Sequence, residues 1–292
     1  MKPPILFRTA DELTERTLST TGDETLDTLL GGGLELGMCH LFYGDQILHD
    51  DLLRMAVAAQ LPRSRNGLGS PSIFIDSSNM MRIDKLTEFA LQLDLFPEVV
   101  NDHIFISRAF NASQTHDLVV EQLEGFFETV PAQLLFVPGL ADIYIKESLT
   151  AEGMQQITHM AHLLMTFSLR MDIATVITTG SSPRNSRYAA GRRALASCCQ
   201  IHVHVEQTPM HIHYTLVKHP MYPMRREARM KRKPSSTLPL EHFVEEWVDD
   251  TQDSIPQPEK GEPMHDSLEQ KAPAVSDDEL TPLDSFIEEW ED

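Results

Sequence analysis

The spacing of apolar residues alternates short buried strands with amphipathic helices up to residue 224, and the chain then changes character. Leu26, Leu29 and Leu30 fall at i, i+3 and i+4 behind Thr21-Gly22 and the acidic pair Asp23 and Glu24, which predicts a short helix ended by Gly31 to Gly33. His40 to Tyr43 reads as a buried strand, Gly44 as the start of a loop, and the AVAAQLP stretch as the end of the next helix. Ser72 to Asp76, His103 to Ser107, Leu134 to Leu140 and Asp172 to Thr179 read as further strands. Between them, Ile83 to Leu95 and Ala151 to Met171 carry helical apolar stripes. Ile201 to Val205 and Met210 to Tyr214 alternate with period two around Gln207-Thr208-Pro209, which predicts a hairpin. Strands alternating with helices in this order predict an α/β fold, a largely parallel sheet with helices on both faces.

Length allows one large α/β domain or two small ones, and charge decides between them. From Pro234 onward there are 18 acidic residues against 2 basic, which leaves the first 233 residues nearly neutral with 26 acidic against 22 basic. The expected organisation is a linker at 1–17, a core at 18–224, a basic run at 225–233 and a disordered acidic tail at 234–292. Cys39, Cys198 and Cys199 form no C-x-x-C pair, so a reducing cytoplasm is the expected compartment. No apolar run approaches a membrane span and no signal peptide opens the chain, so a soluble protein without a membrane partner is expected.

The loop after His40 to Tyr43 is where a nucleotide-binding core carries its phosphate loop, Gly-x4-Gly-Lys-Ser/Thr. There, packed backbone N–H groups cradle phosphates, the Lys reaches the outer oxygens and the hydroxyl holds magnesium. This chain reads Gly44-Asp45-Gln46-Ile47-Leu48-His49-Asp50-Asp51. No second Gly, no Lys and no Ser or Thr follows Gly44, and Asp45, Asp50 and Asp51 would repel phosphate.

TTGDETLDTLLGGGLELG, AVAAQLP, SIFIDSSNMMRIDKL, FISRAFNASQTHDLV and LLFVPGLA together resemble, in order, the ATPase core of the RecA-like recombinases of archaea and eukaryotes, RadA and its paralogues. The resemblance spans residues 5 to 220; a KaiC-like ATPase shares the Gly-rich turn but not the ISRAFN stretch. It implies a RecA-like P-loop fold and marks where nucleotide chemistry is missing. Ser78 stands where the family has the Glu that positions water, Pro138 where a strand ends in the magnesium-linked Asp, and Gly180 where a Gln senses the outer phosphate. The degenerate site is thus Gly44, Asp45, Leu48, His49, Ser78, Pro138 and Gly180, and the expectation is a pseudo-ATPase with no cofactor.

Four further features suggest partners. Phe7-Arg8-Thr9-Ala10-Asp11-Glu12 is similar to the family's strand-adding Phe-x-x-Ala element, which implies docking of Phe7 and Ala10 on a RadA-type recombinase; read alone, Phe7 could also be a hydrophobic staple before a helix. Within Ser181 to Ser197, Arg184, Arg187, Tyr188, Arg192 and Arg193 make either a platform for single-stranded DNA or a solvated loop. His202, His204, His211 and His213 share one hairpin face, either as the polar side of an outer strand or as two facing pairs able to hold zinc or copper. In the tail, Leu240, Phe243 and Trp247 recur as Leu283, Phe286 and Trp290 at i, i+3 and i+7 among acids, a duplicated docking motif for an unidentified protein. The expected function is a non-catalytic recombinase paralogue that binds a recombinase or its DNA filament and modulates recombination or repair. An adaptor with a bivalent tail is the alternative, and a residual DNA-dependent ATPase the third.

Overall fold

The computed structural model describes residues 16–182 and 185–231. Cys39–Gly44 (β3) runs through the middle of the main sheet, parallel to Ala174–Ser182 (β7) on one side and to Ile201–Gln207 (β9) on the other. Beyond β7 follow Leu134–Val137 (β6), Ser72–Asp76 (β4) and Ile104–Arg108 (β5), all parallel. Beyond β9 the sheet turns antiparallel through His211–Lys218 (β10) and Arg225–Met230 (β11). Asn185–Ala189 (β8) folds back on the end of β7. A two-stranded ladder of Leu18–Ser19 (β1) and Leu34–Glu35 (β2) stands apart.

Period-two alternation sends successive side chains of the parallel strands into two separate cores, which is why these strands read as unbroken apolar runs. Phe42, Phe74, Phe136, Val176, Val203 and Tyr214 pack toward Glu24–Leu30 (α1), Leu48–Ala58 (α2) and Ile83–Gln92 (α3). Phe74 and Phe136 stack there with ring centroids 4.6 Å apart. On the opposite face Leu41, Ile75, Leu135 and Ile177 meet a second helical layer. After the short Pro97–Asp102 (α4), that layer comprises Ala112–Val120 (α5), Leu123–Thr129 (α6), Asp142–Lys146 (α7), Ala151–Met171 (α8) and Arg192–Cys198 (α9). Among the described residues no helix is long and apolar enough to cross a membrane.

Two stretches differ from the sequence reading. Ser181 to Ser197, expected as a loop, is built: β7 continues to Ser182, β8 pairs with it, and α9 follows. The basic run expected to close the core is itself strand β11. Its arginines find acceptors in the body of the fold, Arg225 on the Leu29 carbonyl at 2.6 and 2.9 Å and Arg229 on Asp51 and Asp23.

Candidate functional site

The candidate site lies at the carboxyl ends of β3, β4, β6 and β7, where open α/β sheets bind ligands. Gly44 ends β3 with φ of 129°, and a Cβ there would stand 2.0 Å from the Val205 carbonyl oxygen on β9. Only glycine therefore lets the chain leave the strand along this path. The Asp45 N–H then donates to that same Val205 oxygen at 3.1 Å, and the Ile47 N–H to the Asp45 carboxylate at 3.3 Å. The N–H groups of Leu48, His49, Asp50 and Asp51 donate back to the carbonyls of Asp45, Gln46 and Ile47. Donors that a phosphate loop aims at its ligand are turned here into the tightened first turn of α2. Leu48 is buried in the apolar core, not part of a site.

The three acids of this stretch go three ways, which corrects the expectation that all of them face a phosphate. Asp45 stays at the mouth of the loop and caps it. Asp50 is 3.8 Å from Arg82. Asp51 points off the opposite side of α2 into the core, because its register on the helix faces β10 and β11. Its carboxylate accepts from Tyr214 at 2.7 Å, Arg229 at 2.8 Å and Arg54 at 3.2 Å, and both arginines also reach Asp23, at 3.0 and 3.3 Å. Burial pushes the Asp51 carboxyl up, and Arg229, Arg54 and Tyr214 oppose it. His49, at the former second-glycine position, is held below its ordinary value by burial against the pull of Asp76, Asp142 and Asp50.

Asp76 ends β4 and accepts from the N–H groups of Ser78 at 3.0 Å and Met80 at 3.0 and 3.3 Å. Ser78 lies against Gly139, where a Cβ would fall 2.0 Å from its hydroxyl. Pro138 lacks an N–H and ends β6. Gly139, at φ of 70°, then turns the chain back across β7, with its N–H on the Thr178 hydroxyl at 3.2 Å and that of Leu140 on the Thr178 carbonyl at 3.2 Å. This return delivers Asp142, which accepts from the Gly180 N–H at 2.9 and 3.0 Å and from the Thr179 hydroxyl at 2.9 Å. The carboxylate missing at Pro138 is thus replaced by one four residues later, engaged with protein. The sequence reading missed Asp142; the Pro-Gly dipeptide before it was the available signal.

Arg187 and Tyr188 are both exposed on β8. Arg184 lies outside the described residues, as do the side chains of Arg192 and Arg193 at the start of α9. The histidine row does not assemble. Pairing sets His204 opposite Thr215 and His202 opposite Lys218, while His213 faces Glu206, so the two H-x-H pairs are displaced along the hairpin. His202 and His204 are buried, the first with Nε2 3.1 Å from the Cys199 carbonyl and the second stacked on Tyr43. Among the described residues no group of three or more histidines, cysteines or carboxylates is placed to hold a metal. Phe7 and Ala10 lie outside the described residues, and so do Leu240, Phe243, Trp247, Leu283, Phe286 and Trp290.

The match to known families runs across this same region. The family model described as Rad51 matches residues 14–188, more than half of the chain, from β1 through most of β8. It takes in the loop after β3, the Asp76 turn, the Pro138-Gly139 turn and the Gly180 contact. With the parallel sheet and its two helical layers, this shows that the chain belongs to the Rad51 family, RecA-like proteins of recombination and repair.

Proposed function

We propose that this protein works in recombination or repair without hydrolysing nucleotide, by docking on a recombinase or its DNA filament and modulating it. The observation that carries the reading is the phosphate-loop segment. It has no Lys and no Ser or Thr, and the N–H groups of Asp45, Ile47, Leu48, His49, Asp50 and Asp51 all have protein acceptors. A phosphate would have to displace those bonds and approach Asp45 and Asp50 as well. The docking half is supported by the edge strand β5. Among the described residues its outer main-chain groups have no neighbouring strand, and exposed Phe105 and Ile106 lie on it between Phe96 and Phe110, which are 77% and 75% exposed. An open edge beside large apolar side chains suits strand addition, in which main-chain bonds supply affinity and side chains set register.

Titration with magnesium-ATP tests the first half: no thermal shift and no turnover above background are expected, and a magnesium-dependent dissociation constant of about 1 mM or tighter overturns it. Pull-down against a full-length recombinase, with and without the segment carrying Phe7 and Ala10, tests the second. The duplicated tail motif favours a second reading, an adaptor whose partner is held by both copies; recombinase-independent capture through Trp247 and Trp290 would select it.

A further inference from the structure

All three cysteines of the chain fall in the core on one face of the sheet, and the fold brings two of them together across 160 residues of sequence. Cys39 opens β3 and Cys199 follows α9; both are fully buried, and their sulfurs stand 3.4 Å apart. The main chain on each side is fixed. The Cys39 N–H donates to the Gln200 side-chain oxygen at 2.8 Å and the Gln200 N–H to the Cys39 carbonyl at 3.0 Å, while the Cys199 carbonyl accepts from Lys218 Nζ at 2.8 Å. Cys198 is set differently, with its sulfur 3.9 Å from the Ser197 hydroxyl. A disulfide holds its sulfurs at about 2.05 Å, so Cys39 and Cys199 close by a shift of roughly 1.4 Å shared between two side chains. Neither metal binding nor thiolate catalysis accounts for the pair. Among the described residues no third ligand stands beside it, and the hydrogen bond to Cys199 together with burial pushes the Cys39 thiol up, away from a ready thiolate.

We propose that Cys39 and Cys199 are a redox-sensitive pair, which a hydroperoxide converts to a disulfide stapling β3 to the end of α9 and which small thiols reopen. The Cys199 sulfur attacks one peroxide oxygen, the O–O bond breaks, and a sulfenic acid and one water result. The Cys39 sulfur then displaces the hydroxyl from Cys199, its proton leaving with that hydroxyl as a second water. Two thiols and one peroxide thus become one disulfide and two waters, the sulfurs losing the two electrons that the peroxide gains. Two molecules of glutathione reverse the bond by exchange and leave as their own disulfide. In a reducing compartment the pair stays open, as two small apolar side chains in contact. Once formed, the staple closes a loop that holds β4 to β8 and ties the parallel half of the sheet to the start of β9, on which β10 and β11 are built. It needs neither nucleotide nor a recombinase.

Peptide mass mapping of the folded full chain, reduced and then treated with hydrogen peroxide, reads the pair directly. The expected product is a Cys39–Cys199 cross-link with two thiols lost and Cys198 still free. The melting temperature should rise by about 5–15 °C, as closing a long loop gives, and return on adding reduced glutathione. Cys198→Ser should behave as the unaltered protein does, whereas Cys39→Ala and Cys199→Ala should each lose the rise, every variant being compared with its own untreated sample. Where an alanine variant fails to fold, the cross-link map and thiol count of the unaltered chain still decide. A cross-link through Cys198, a cross-link that forms only in urea, or three thiols that survive peroxide doses oxidising the exposed Met224 overturns the pair. A Cys39–Cys199 cross-link that leaves the melting temperature unchanged, or that glutathione does not reopen, overturns the switch.

Discussion

Asp51 occupies the position at which a phosphate loop carries its hydroxyl, and in this fold it is a fully buried anion between two guanidinium groups and a phenol. Removing one partner of such a cluster costs far more than the pair contributes against an apolar substitute, because the remaining charges stay buried. Asp51→Ala is expected to lose about 3–5 kcal/mol in urea unfolding. The triple change His49→Gly, Asp50→Lys, Asp51→Thr, which rebuilds the motif on paper, should lose stability and gain no affinity for magnesium-ATP. The buried histidines set a second expectation. Burial holds His40 at about 4, and its ring is arranged to be neutral, with Nε2 accepting the Glu35 N–H at 3.2 Å and Nδ1 3.3 Å from the Thr175 carbonyl. Burial also holds His202 at about 4. Both values lie below that of the unfolded chain, so the unfolded chain binds more protons as pH falls from about 6.5, and stability present above that point declines until about 4, by up to about 1.4 kcal/mol per group per pH unit. Asp27 and Glu35, raised chiefly by burial, oppose the lower end of this decline by taking up protons more readily in the fold. A melting temperature that falls between pH 6.5 and 4.5, with a shallower slope in His202→Asn, is the expected result; a flat profile overturns it.

Among the elements, legibility in the sequence followed whether the stabilising groups were local. Helix α8 was readable to the residue because Thr150 caps it, on the Gly153 N–H at 3.0 Å, and Asp172 ends it in the left-handed conformation. Helix α1 and strand β4 were readable for the same reason, from Asp23 and Gly31 in one case and from a continuous apolar run in the other. Strand β8 was not, since NSRYA has no alternation and is held by pairing to β7 and by the Tyr43 hydroxyl from a distant segment. Strand β11 was not either, because RREARM reads as a solvated basic run until Asp51, Asp23 and the Leu29 carbonyl are in place. The missing nucleotide residues were legible one by one; the carboxylate restored through the Pro138-Gly139 turn was not. At this scale Gly44 is the strictest position. A methyl group there meets the Val205 carbonyl at 2.0 Å on a backbone with φ of 129°, so Gly44→Ala must part β3 from β9. A loss of about 2–4 kcal/mol in thermal or urea unfolding is expected, the range of backbone strain joined to core disruption.

At the scale of the whole molecule, the sheet formed by the described residues has one edge at β5 and the other at β11, and the two are unlike. The β5 edge is apolar, with Phe105 and Ile106 exposed, whereas β11 is charged and tied inward through Arg225 and Arg229. If β5 receives a strand from a recombinase, Ile106→Lys is expected to weaken that complex by about tenfold or more, while calorimetry should show a much smaller loss of stability than a core substitution gives, because the side chain is 39% exposed. Phe7→Ala should cost about 2–4 kcal/mol of binding where Phe7 is a pocketed anchor; unchanged affinity with a lower melting temperature would assign it to a staple instead. The Asp51 cluster also bears on how the chain is made. Arg229 follows Asp51 by 178 residues, so a growing chain carries the acid of α2 long before its counter-ion has been synthesised. Central strand β3 waits likewise for β7 and β9. Such late pairing slows folding and leaves apolar strands uncovered on the ribosome. Chains stopped after residue 231 should be recovered soluble, whereas chains stopped after residue 224, lacking only β11 from the sheet, should remain with chaperones or precipitate.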